Sequence, residues 1–119
     1  MTQRRIKDFN EIVGESINQT IAAILGESVL GALYAHLQKF HDITPAEIPY
    51  RLDTLSSALE KTFGTSFNTI EKAAAKRLYS NLGLEFEERP GHRLIDYVES
   101  AKVTYARLHE SRTLESLGR

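Results

Sequence analysis

Four histidines are the side chains of this chain best suited to chemistry: His36, His41, His92 and His109. A metal site on a helix needs ligands three or four residues apart, so that both reach one ion from one face. No His-x3-His or Glu-x-x-His pair occurs. His36 and His41 are five apart, which points them to different sides of an ideal wheel. His92 and His109 stand near opposite ends of the last predicted helix and read as solvated. The chain has no cysteine, which removes disulfides, thiolate ligands and a cysteine nucleophile. Asp8, Glu11 and Glu15 share a helix face, and Glu85, Glu87 and Glu88 form an acidic loop. Both groups read as soluble surface. There is no phosphate-binding loop, no Gly-x-Gly-x-x-Gly and no nucleophile elbow. The residues thus assign no catalytic, metal or cofactor site, and the expectation is a protein that is not an enzyme.

The strongest candidate for a functional surface is a set of outward residues on the helix predicted over 66–82. Lys72, Lys76 and Tyr79 share its outer face, with Arg77 at the edge. An aromatic opposite a core stripe needs cover, either from a partner or from the neighbouring segment 84–86. A helix, a glycine turn and a basic helix also match a helix-turn-helix, in which Lys72, Lys76 and Arg77 would meet DNA. Against DNA, the helix lacks the Asn, Gln or Ser surface that reads base edges. The remaining reading is a solvated cationic face.

These residues depend on helices marked out by glycines. Residues 17–40 are the organising stretch. Ile17, Ile21 and Ile24 make one apolar stripe, and Val29, Leu33, His36, Leu37 and Phe40 make another. The period barely slips at Gly26, so one continuous helix is the alternative to the break expected there. Leu25-Gly26-Glu27-Ser28-Val29 is echoed by Phe63-Gly64-Thr65-Ser66-Phe67, which suggests a repeated helical hairpin. Upstream, Ile6, Phe9, Val13 and Ile17 place a helix start near Arg4 or at Gly14. Thr44-Pro45-Ala46-Glu47 is a capping box with proline at the first helical position, and Pro49 limits it to one short turn that tucks Ile43 and Ile48 inward. Leu52, Leu55, Leu59 and Phe63 define the next helix, ended by Gly64. Ser66 is placed to cap a helix with the stripe Phe67, Ile70, Ala74 and Leu78, ended by Gly83. Leu84 and Phe86 alternate with Glu85 and Glu87, as a short extended piece laid on the bundle would. The last helix begins near Arg93 with the stripe Leu94, Tyr97, Val98, Ala101, Tyr105 and Leu108.

The prediction is therefore an all-α bundle of about five helices, mostly with antiparallel neighbours. It forms a single domain over residues 1–119, with a basic start at 1–10 and a tail fraying over 110–119. The 119 residues, 41% hydrophobic and 26% charged, suffice for a core without staples. A net charge of -1 excludes bulk polyanion binding. The longest apolar run is far short of a membrane span, and the basic N-terminus lacks the apolar stretch of a signal peptide. The expected location is the cytoplasm, with no membrane partner.

The order of landmarks resembles a small archaeal helical family, the fifth type of Nitrosopumilus output domain. The residues that carry the likeness are Leu25-Gly26-Glu27-Ser28-Val29, Tyr34 with Leu37, Ile48-Pro49, Ala58-Leu59-Glu60-Lys61-Thr62-Phe63-Gly64, Leu78-Tyr79-Ser80-Asn81-Leu82-Gly83-Leu84 and Asp96-Tyr97-Val98. The resemblance implies a non-catalytic signalling or output module that works by protein contact, self-association included. Separately, Ala35-His36-Leu37-Gln38-Lys39 resembles the histidine segment of phosphotransfer domains, where the histidine stands exposed. Here the wheel places His36 on the apolar stripe with Phe40 one turn on, so a buried, hydrogen-bonded histidine is expected.

Overall fold

The computed structural model describes the backbone of residues 8–117 and the side chains through residue 108. The helices are α1 (Phe9–Leu25), α2 (Glu27–His41), α3 (Leu52–Phe63), α4 (Phe67–Leu82) and α5 (Leu94–Leu117), with 3-10 turns at Pro45–Tyr50 and Gly64–Ser66. No strand occurs among the described residues. The all-α bundle is as the sequence predicts. The basic residues Arg4, Arg5 and Lys7 lie outside the described residues.

Asp8 starts α1 with a capping box. Its carboxylate accepts from the Glu11 N–H at 2.8 Å, while the Glu11 carboxylate accepts from the Asp8 N–H at 3.1 Å. The helix passes straight through Gly14, beside Pro49, and stops at Gly26. Gly26 adopts φ 95° and ψ 160°, a conformation open essentially to glycine alone, and α2 begins on the next residue. The chain folds back there. Tyr34 on α2 donates its hydroxyl to the side-chain oxygen Oδ1 of Asn18 on α1, two residues equidistant from the glycine. At the far end of α2, Asp42 takes the left-handed conformation; its N–H bonds to the Gln38 carbonyl and the Ile43 N–H to the Leu37 carbonyl, at 3.2 Å each. This turn drives Ile43 into the core.

Thr44 and Glu47 make the expected capping interaction, with the Thr44 N–H 2.9 Å from Glu47 Oε1. The hydrogen bond from the Thr44 backbone holds the Glu47 carboxyl below its usual range. Ile48 is buried by the turn. Ser66 does not cap α4. It is itself helical (φ -64°), and the 3-10 turn runs directly into the helix. The two glycine junctions are thus not equivalent, and only part of the sequence echo survives in three dimensions.

The core is one cluster drawn from all five helices and the first 3-10 turn, with Ile17, Ile21, Leu37, Leu55, Leu59, Leu78 and Ala101 among its members. Each fully buried leucine or isoleucine contributes about 1.5–3 kcal/mol relative to exposure. α1 lies chiefly against α4. Some stripe residues miss the core. Ile24 and Phe40 stand exposed, as does His36. A helical wheel gives the apolar side of α2, but the neighbours cover only the half centred on Leu33 and Leu37. α5 continues helical to Leu117, past Glu110 where fraying is expected. Its last dozen residues contain neither glycine nor proline.

Candidate interaction face

α4 carries the four candidate residues, and residues 83–93 decide what becomes of them. Gly83 ends α4 in the left-handed conformation, and the Leu84 N–H bonds to the Tyr79 carbonyl at 2.8 Å. The chain then runs back along the helix it has just left. Phe86 meets the Tyr79 ring edge-on at 5.4 Å, Glu88 reaches Lys72, and Arg93 reaches Glu71. Residues 84 and 86 do lie on the bundle, as their alternation with acidic residues suggests.

Tyr79 is therefore covered from within the chain. Its hydroxyl donates to the Tyr97 carbonyl at 2.8 Å, and burial pushes its pKa up. Lys72 Nζ lies 2.7 Å from Glu88 Oε2. That hydrogen bond raises the lysine pKa and lowers the glutamate pKa. Lys76 and Arg77 stand exposed. Of the four residues, two are engaged by the returning strap and two face solvent.

The structure shows a polar site that the sequence reading passed over. Glu71 is 3% exposed in the core stripe of α4. Its Oε2 accepts from Ser56 Oγ on α3 at 2.5 Å, and its Oε1 accepts from Arg93 Nε and from the Leu94 N–H at 3.1 Å each. The carboxylate thus sits at the N-terminus of α5, where backbone N–H groups favour negative charge. The hydrogen bond to Glu71 raises the Arg93 pKa, and the guanidinium also lies 4.6 Å from the centre of the Phe67 ring. One side chain ties three helices together. The signal was present in the sequence: Glu71 and Ser56 fall at core positions of otherwise apolar stripes. A second polar joint links α4 to α1, where Asn81 donates to Ser16 Oγ at 2.9 Å and to Gln19 Oε1 at 3.2 Å.

Two further surfaces stand open. Between the start of α1, the first 3-10 turn and α5 lies a cleft of about 410 Å³, lined in part by Phe9, Pro49, Leu52, Ile95 and Val98. At its edge Tyr50 is 67% exposed and Val103 57% exposed. The Tyr50 hydroxyl accepts from Asn10 Nδ2 at 3.0 Å, which fixes the ring at the rim. The other surface is the end of α2. There His36 lies beside Phe40 with ring centres 4.7 Å apart, and His41 turns back to within 5.9 Å of His36. The expectation that the two histidines face apart is corrected here: at the end of α2 their rings lie near each other, with planes inclined at 57°.

No helix among the described residues is long and apolar enough to cross a membrane. Comparison with known family models, with curated proteins and with solved structures gave no match.

Proposed function

We propose that this chain is a non-catalytic helical module that acts by protein–protein contact, as an output domain of archaeal signalling in the cytoplasm. The family-like landmarks motivate the signalling role. The observation that carries the contact role is the cleft bounded by Tyr50 and Val103, where a tyrosine held in place by Asn10 presents its ring to solvent. Tyrosine is enriched among the residues that anchor protein contacts, and this one borders a cleft that mixes apolar side chains with Asp53, Glu99 and Lys102. The buried polar side chains support the reading as well. Glu71, Ser56, Ser16 and Thr20 are all engaged in hydrogen bonds within the fold.

Self-association through this cleft is the simplest form of the proposal. Sedimentation of the wild-type protein and of Tyr50→Glu tests it. A mass of twice 13.4 kDa that the variant halves supports a homodimer. A monomer at every concentration leaves a different protein as the partner. Turnover of a metabolite that His36→Ala abolishes would overturn the non-catalytic reading.

The alternative is DNA binding through Lys72, Lys76 and Arg77. The exposure of Lys76 and Arg77 favours it. The strap weighs against it, because Glu85, Glu87 and Glu88 run along the same helix and Lys72 is already paired. A DNA binder would show salt-sensitive retardation of duplex DNA that Lys72→Ala and Lys76→Ala weaken together.

A further inference from the structure

We propose that His36 and His41 form a two-imidazole site for a borderline divalent cation, of the Cu²⁺, Ni²⁺ or Zn²⁺ class. The geometry of the rings carries the inference. With metal–nitrogen bonds near 2.0–2.1 Å, two imidazoles sharing one ion have ring centres roughly 5.2 Å apart at the tetrahedral angle and roughly 6.4 Å apart when opposite. The centres here are 5.9 Å apart, with the planes inclined at 57°. His36 is exposed and His41 half-buried, so an ion from solvent can reach them.

Two features of the surroundings favour a cation. Both rings stand on the last turns of α2, where the free carbonyls give the helix its negative end. Asp42 follows immediately and is exposed. Phe40 packs on His36 and limits the freedom of that ring. Lys39 is the positive charge in the same turn, and its ammonium lies 5.4 Å from the centre of the Phe40 ring. The described residues place no group of three or more histidine or carboxylate ligands together. The ion would therefore keep water, or a partner's side chain, in its remaining positions. Neutral imidazole is the ligand, so binding weakens as the histidines protonate. Among these metals Cu²⁺ binds tightest.

The test uses the full untagged chain, titrated at neutral pH with Ni²⁺ as a paramagnetic probe and with Zn²⁺ in a calorimeter. One equivalent should bind, broadening the ring resonances of His36 and His41 together before those of His92. Each of His36→Ala and His41→Ala should lower the affinity at least tenfold, and His92→Ala should leave it unchanged. Backbone amide spectra of the variants establish that they are folded. Equal broadening of all histidines, or affinity that survives His41→Ala, would overturn the site.

Discussion

Replacing Glu71 by alanine should be the most damaging polar substitution among the described residues, and the structure says why. The change orphans three donors: Ser56 Oγ, the Leu94 N–H and Arg93 Nε. Ser56 and Leu94 are buried, so each unpaired group costs about 1–3 kcal/mol. The Arg93 side chain is 40% exposed and can turn to water, so its ion pair with Glu71 adds less than ~1 kcal/mol. The expected loss is about 3 kcal/mol, which lowers a urea midpoint by roughly 1.5–2 M and the melting temperature by about 12 °C. Urea titration followed by circular dichroism reads it directly. Glu71→Gln keeps the shape and one acceptor oxygen, so it should cost about half as much. Arg93→Met separates the two accounts. If the salt bridge were the main contribution, Arg93→Met would be as costly as Glu71→Ala. A loss below ~1 kcal/mol for Glu71→Ala would refute the claim that this carboxylate holds α5 in place.

Further outcomes concern the backbone and pH. Gly26→Ala puts a side chain at φ 95° and should cost about 1–3 kcal/mol, measured by thermal melting. Gly14→Ala should stabilise α1 by up to about 1 kcal/mol, because the new methyl meets Pro49 Cγ at an ordinary 3.5 Å. Burial holds the Tyr34 hydroxyl up at about 12, against 10.0 when exposed. The folded state therefore keeps this proton more tightly than the unfolded chain. The associated stability is complete below pH 10 and is lost as pH rises from about 10 to about 12. Tyr34→Phe should flatten that limb of the alkaline unfolding curve, and the late-titrating phenolate should vanish from the ultraviolet spectrum.

Local chemistry made much of the fold readable. Gly26, Gly64 and Gly83 mark helix ends because a positive φ is needed there. Thr44, Pro45 and Glu47 mark a start because their side chains and ring satisfy the requirements of a first turn. The alternation over residues 84–87 was enough to lay Leu84 and Phe86 inward. What escaped were facts about which surfaces meet. Periodicity shows that α2 has an apolar side, but not that α1 and α3 cover only half of it and leave His36 and Phe40 in solvent. Glu71 sits one residue after Ile70, within the core arc of α4, and a charge there signals an interior partner. Its partners lie on α3 and at the start of α5, at separations of 15 to 23 residues that no local pattern connects. For the same reason the pairing of Lys72 with Glu88 is not visible on one helix, whereas the cover of Tyr79 by residues 84–86 is one of the two options its position offers. The residues that engage them come from a strap that doubles back.

α5 is held at its start by Glu71, and again where the Phe9 ring lies 5.9 Å from that of Tyr105. Ala101 is its last buried residue among the described side chains, yet the helix runs on to Leu117, roughly 24 Å further at 1.5 Å per residue. A rod of that length turns angle into distance: a tilt of about 10° about Ala101 would carry its end through about 4 Å, and the Phe9 ring beside Tyr105 opposes such a tilt.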